Sequence, residues 1–216
     1  MPMAQANAPL HARLIVSDTS PLITLALADS LDLLFYADLP LYIPDGVFHE
    51  ATRAAHMADA VAILAWQAQN AHRVHLVSTT IFYQYQQTGL PKRGMGELAA
   101  VEVVAQSNLA PDERALVLFE DDAATTIIAA PTTIIPISTR DYLDALEATQ
   151  RIQSADAIFA EARKHATNPQ ARSSKAFLPD QPSEHQRAVM AALASARPIG
   201  EIMRPKPGDP PSGGTP

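Results

Sequence analysis

Three apolar stretches of this chain end on, or run straight into, a carboxylate. LIVSDTSPLITLA places Asp18, LYIPDGVFHEA places Glu50, and ALVLFEDDAATTIIAA places Asp121 and Asp122; Glu97 in GMGELAAVEVVA joins them. Carboxylates are expensive to bury unless they are paired or bind a metal, and the strand ends of a parallel sheet converge on one edge. Two such charges held within about 4–6 Å raise one another's pKa unless a cation sits between them. An acidic cluster at a sheet edge is therefore a candidate site for Mg²⁺ or Mn²⁺, which take hard oxygen ligands.

Each acid also has a plainer explanation. Asp18 follows a strand and precedes a helix N-terminus, where Asp is a favoured cap as well as a neighbour for anions and metal. Glu97 stands behind Gly94 and Gly96, which let the backbone pass close to a ligand or a neighbouring loop, yet a first-turn Glu also suits the helix dipole. Glu50 lies on a helix, and only its apolar neighbours Val47, Phe48 and Ala51 set it apart from a solvated residue. Of the adjacent pair, Asp121 is the expected site residue, with Asp122 as a further ligand or as the cap of the next helix.

The elements that must position these acids alternate. Strands are expected at Arg13–Ser17, Leu41–Ile43, Val74–Val77, Ala115–Phe119 and Thr132–Ile137, from short β-branched or leucine-rich runs. Helices are expected from Ser20 (N-cap) and Pro21 to Ala28, over Ser30–Tyr36, from Pro44 toward Ala55, and over Ala58–Ala71. Further helices fit Ile81–Gln87, Glu97–Gln106, Ala123–Ala130, Tyr142–Ala148 and Ala155–Lys164. Strand and helix in alternation, without hairpin signals, imply an α/β fold with a parallel sheet covered on both faces. Residues 1–12 read as a loose leader and 13–165 as one domain. Residues 166–216 read as a Pro/Ser-rich tail in which HQRAVMAALASA, 185–196, has the pattern of a short helix.

Composition narrows the function. The 216 residues carry a formal net charge of −7, which argues against coating nucleic acid by bulk positive charge but leaves room for a nuclease whose metal offsets its acids. There is no cysteine, so thiolate zinc sites and cysteine nucleophiles are excluded, and a cytoplasmic location is expected. No secretion signal is visible, and no apolar run approaches the roughly 18 residues that span a membrane. His49, Glu50 and His56 do not make a zincin motif, because Arg53 stands where the second His is required.

With these motifs in view, the chain resembles the PIN-domain family, and within it the toxin-like branch related to VapC. DTSPLITLA, IPDGVFHEA, GMGELAAVEVVA and LFEDDA follow one another in the family's order from about Arg13 to Lys164. The resemblance implies a three-layer α/β/α sandwich with a central parallel sheet of four to five strands. It further implies a metal-dependent endoribonuclease whose acids map onto Asp18, Glu50, Glu97 and Asp121. In such a site Asp18 and Asp121 coordinate Mg²⁺ or Mn²⁺, Glu97 ligates directly or through water, and Glu50 orients a metal-bound water. The same resemblance implies an RNA substrate, an antitoxin that covers the acidic groove, and a homodimer. Two features depart from the branch: Thr125 and Thr126 occupy the neighbourhood of a common Arg, and ISTRDYLDA replaces a Gly-Thr turn.

Substrate contacts are expected from Ser20, Lys92, Arg93 and Arg140, and Phe82, Tyr83 and Tyr85 could stack on bases, although at helical spacing at least one of them belongs to the core. Two rival readings remain. A haloacid-dehalogenase-like phosphatase needs a second acid where Ser20 stands. A PIN-like module that binds RNA or protein without cutting would be marked by a missing acid, and none is missing.

Overall fold

The expected strands form, and they lie side by side. A computed structural model describes residues 11–90, 94–120 and 131–167. Its strands are β1 (His11–Ser17), β2 (Leu41–Pro44), β3 (Val74–Val77), β4 (Glu113–Phe119) and β5 (Ile134–Ser138). The described helices are α1 (Thr19–Leu27), α2 (Asp45–Thr52), α3 (Ala58–Gln69), α4 (Thr80–Thr88), α5 (Met95–Gln106), α6 (Thr139–Ala148) and α7 (Ala155–His165), with a 3-10 helix at Leu31–Phe35. The strands make one five-stranded sheet in the order β3-β2-β1-β4-β5, and every neighbouring pair is parallel.

Alternation along the strands feeds two cores. Ile15, Leu41, Ile43, Leu116 and Leu118 point to the face covered by Leu22 and Leu25 of α1, Ile63 and Trp66 of α3, Tyr142 and Leu146 of α6, and Phe159 of α7. Leu14, Val16, Ala115, Val117 and Phe119 point to the other face, under Ala100, Val103 and Val104 of α5. A strand whose successive side chains go to opposite covered faces must be apolar throughout, which is why these runs show no polar alternation. The result is the expected α/β/α sandwich.

Several boundaries differ from the sequence reading, each for a local reason. β1 begins at His11, two residues early, because it pairs with β4 from His11↔Glu113 onward through a bulge between Ala12 and Leu14. α1 begins at Thr19, with Asp18 rather than Ser20 in the N-cap position. Pro21 is then the third helical residue, still within the first turn, where a missing N–H leaves no helical bond unmade. α2 stops at Thr52, short of Ala55. α6 begins at Thr139, not Tyr142, because Ser138 caps it: its Oγ accepts the Asp141 N–H at 2.9 Å and donates to Asp141 Oδ2 at 2.5 Å. The leader up to residue 10, the expected helix Ala123–Ala130 and the segment 185–196 lie outside the described residues.

Tyr142 ties the ends of the domain together. Its ring is fully buried and its hydroxyl donates to the Leu33 carbonyl at 2.7 Å, joining α6 to the 3-10 helix. Tyr142→Phe removes this bond between elements while the carbonyl keeps the Tyr36 N–H at 3.0 Å, so urea unfolding should show a loss of about 1 kcal/mol.

Candidate active site

Strand order reverses between β1 and β4: the chain builds β1-β2-β3 outward in one direction, then returns to lay β4 and β5 on the other side of β1. In open parallel sheets ligands bind at that reversal, outside the carboxyl ends of the strands. Asp18 occupies it. Ser17 is in register with Leu118, and the Asp18 N–H donates to the Leu118 carbonyl at 2.9 Å, which carries the β1–β4 ladder one residue past the strand. Asp18 is thereby pinned beside the end of β4, where Glu120 follows Phe119.

The plain capping explanation for Asp18 does not hold. Its backbone is extended (φ −81°, ψ 175°), as a cap requires, but its side chain makes no capping hydrogen bond. The carboxyl is instead withdrawn from water beside other acids. Burial, followed by the charges of Glu97, Glu50 and Glu120, raises its pKa from the ordinary 3.8 to about 7, against the opposing pull of the Thr19 N–H. The residue is half-buried as a whole, with the desolvation concentrated at the carboxyl.

The other acids arrive from separate elements. Glu97 lies in the first turn of α5, after Gly94, whose φ of 72° is the left-handed conformation that glycine adopts without strain. Gly96 is required by proximity: a Cβ there would lie 2.5 Å from Asp18 Oδ1 and 3.6 Å from Val47 Cγ2. The first turn of α5 can therefore close on Asp18 only because position 96 lacks a side chain. Glu50 is exposed on α2, yet its Oε2 accepts from Thr19 Oγ1 at 3.2 Å, which turns it toward the first turn of α1. Glu120, passed over in the sequence reading for its neighbour, is buried, and its Oε1 accepts from the buried Thr139 Oγ1 at 2.9 Å. Its signal was its offset: Asp18 and Glu120 are each the first residue after a strand, and those two strands are neighbours.

The structure thus brings Asp18, Glu50 and Glu97 together and adds Glu120. Asp121, Asp122, Lys92 and Arg93 lie outside the described residues. Among the described residues no three Asp, Glu or His side chains are gathered closely enough to enclose an ion by themselves. Ser20 sits in the first turn of α1, half-buried beside Thr19. Arg140, expected as a phosphate contact, is held by carboxylates: Nε lies 2.8 Å from Asp144 and Nη1 2.5 Å from Asp156. The Asp144 hydrogen bond, with Asp156 adding to it against partial burial, raises its pKa further.

Gly96 and Asp18 should be energetically coupled. Helix propensity alone favours Gly96→Ala by about 1 kcal/mol. The contact with Asp18 reverses the sign, and we expect a loss of about 1–3 kcal/mol, as overpacking costs. Asp18→Ala removes the obstructing oxygen, so the double variant should recover most of that loss in a thermodynamic cycle measured by urea unfolding.

The raised pKa of Asp18 predicts a pH dependence in chelator. Because its folded pKa lies above its ordinary value, the favourable contribution is complete below about pH 4 and is lost as pH rises through 7. Relative to Asp18→Asn, the wild-type protein should lose up to a few kcal/mol between pH 4 and pH 8, seen as a falling difference in unfolding midpoint.

A family model described as a PIN domain, DUF3368, matches residues 14–165. No curated protein and no solved structure matches the chain. The matched span runs from β1 to the end of α7 and contains every acid of the site. The chain belongs to the PIN-domain family, whose members are generally nucleases.

Proposed function

We propose that this protein is a metal-dependent endoribonuclease of the VapC-like kind, acting in the cytoplasm as the toxin of a toxin–antitoxin pair. The observation that carries the reading is the Asp18 carboxyl, desolvated at the strand-order reversal within electrostatic reach of Glu97, Glu50 and Glu120. Such crowding is unfavourable for acids whose role is only structural, and it is relieved by a divalent cation. The donors are all carboxylate oxygens, the set that Mg²⁺ and Mn²⁺ prefer.

On this reading Asp18, Glu97 and Asp121, with Asp122 as a further ligand, would hold Mg²⁺ or Mn²⁺. The ion would supply charge neutralisation at the scissile phosphate and a more acidic water. The chain's own groups do the rest. Glu50, which accepts the Thr19 hydroxyl, would orient the attacking water. The N-terminal turn of α1, with the N–H groups around Thr19 and Ser20, faces the anionic substrate with the positive end of the helix dipole. Lys92 and Arg93 are proposed as phosphate contacts from the loop before α5, whereas the ion pairs of Arg140 give it a positioning role between α6 and α7.

The proposed partners are an RNA substrate, an antitoxin that covers the acidic groove, and a second copy of the chain. Among the described residues no helix is long and apolar enough to cross a membrane. The phosphatase alternative has no support from the family match.

Purified protein incubated with single-stranded RNA and Mn²⁺ should cleave it, and chelator should stop the cleavage. Asp18→Asn, Glu97→Gln and Asp121→Asn should each lower the rate by at least ~100-fold, beyond the ~10–100-fold cost of losing an outer-sphere partner. Intact RNA with the wild-type protein, and no growth arrest on expression in a bacterial host, would overturn the reading.

A further inference from the structure

The sequence places Phe82, Tyr83 and Tyr85 on one short helix, and the structure gives Phe82 a ring partner outside it and Tyr85 a partner within it. His49 of α2 lies against the Phe82 ring, centroids 5.2 Å apart and planes 43° apart, and Phe82 stacks on Tyr85 at 5.9 Å and 27°. Phe82 is buried, Tyr85 half-buried and His49 exposed. The three rings form a ledge with a buried middle and two ends that reach solvent.

The ledge is fixed to the elements that carry the site. Phe82 fits against Gly46 of α2, where a Cβ would meet its ring at 3.2 Å, and Val47, the next residue, borders Gly96 beside Asp18. Asp45 Oδ1 accepts from Thr79 Oγ1 at 2.8 Å and from the Thr79 N–H at 3.2 Å, which ties the N-cap of α4 to α2. Glu102 of α5 accepts the N–H groups of Thr80 at 2.7 Å and Ile81 at 3.3 Å. Thus α4 is bonded at its first turn to the helices that bear Glu50 and Glu97, and His49 directly precedes Glu50.

The chemistry of the exposed surface is distinctive. α4 reads TIFYQYQQT and carries no charged residue, in a chain whose net charge is −7. Rings offer stacking surfaces to any base, and Gln side chains both donate to and accept from base edges. A duplex keeps its bases stacked on one another, so only an unpaired strand can present a base to such a ledge.

We propose that the rings of His49 and Tyr85, braced on the buried Phe82 between them, form a base-stacking wall beside the acidic site that holds a single RNA strand through its bases. The proposal rests on the ribonuclease reading for the identity of the nucleic acid, but stacking needs neither metal nor cleavage. It can be measured separately.

The test is fluorescence anisotropy of a labelled single-stranded oligoribonucleotide in chelator at fixed ionic strength. Wild-type protein should bind it better than a duplex of the same length, and better than a strand of the same length with abasic positions. His49→Ala and Tyr85→Ala should weaken single-strand binding by about 5- to 100-fold, the range expected for losing a stacked base. Tyr85→Phe, which keeps the ring, should bind like wild type and also controls for folding. Equal binding of normal and abasic strands, unchanged affinity in both alanine variants, or no binding by wild type would each overturn the stacking wall. Weakened binding by the alanine variants without any Mn²⁺-dependent cleavage by wild type would leave the wall standing and remove the nuclease reading instead.

Discussion

The contact between Gly96 and the Asp18 carboxylate is the constraint on which the site depends. It lets the first turn of α5 approach the end of β1 closely enough for Glu97 to act on Asp18, and any Cβ at position 96 would overlap Asp18 Oδ1. The approach works against the acids' own electrostatics: burial and three neighbouring negative charges push the Asp18 pKa to about 7. A fold maintains such an arrangement only when the surrounding packing fixes it. Here the packing is the parallel sheet, whose β1–β4 ladder continues through the Asp18 N–H, with α5 seated on Leu14, Val16, Val117 and Phe119.

The polar bonds around the site divide into two kinds. Asp45, Glu102 and Asp141 each accept backbone N–H or hydroxyl donors at the start of a helix or beside its cap, and so hold α4 and α6 in place. Glu50 and Glu120 accept the hydroxyls of Thr19 and Thr139, the first residues of α1 and α6, and also add their charge beside Asp18. Asp18 itself is drawn toward the Thr19 N–H, against the charges of Glu97, Glu50 and Glu120.

The sequence displayed the sheet well because strands covered on both faces must be apolar without interruption. Val74–Val77 is found at its expected bounds, and the runs at Leu41 and Ala115 need only short extensions. It displayed Asp18, Glu50 and Glu97 as well, since their motifs are local. What it hid depends on register or on distant partners. Ser20 followed by Pro21 imitates a helix start, whereas the true cap is set by where β1 stops pairing with β4. Glu120 gains its meaning from being one residue past the strand beside Asp18. Arg140 looks like a free cation until α7 brings Asp156, 16 residues away in sequence, against it.

On the proposed reading, an acidic protein that handles RNA must limit repulsion of the phosphates without a broad basic surface. A metal between the carboxylates would neutralise the reacting centre and leave the charge elsewhere unchanged. An uncharged helix of rings and amides beside that centre would add attraction that does not depend on phosphate neutralisation. Stacking is much less sensitive to salt than counterion release, so this division of labour implies a shallow salt dependence of binding for so polyanionic a ligand. It also implies selection for strand state, because duplex RNA offers its phosphates but withholds its bases. Specificity would then begin at α4, with the acids deciding only where the chain is cut.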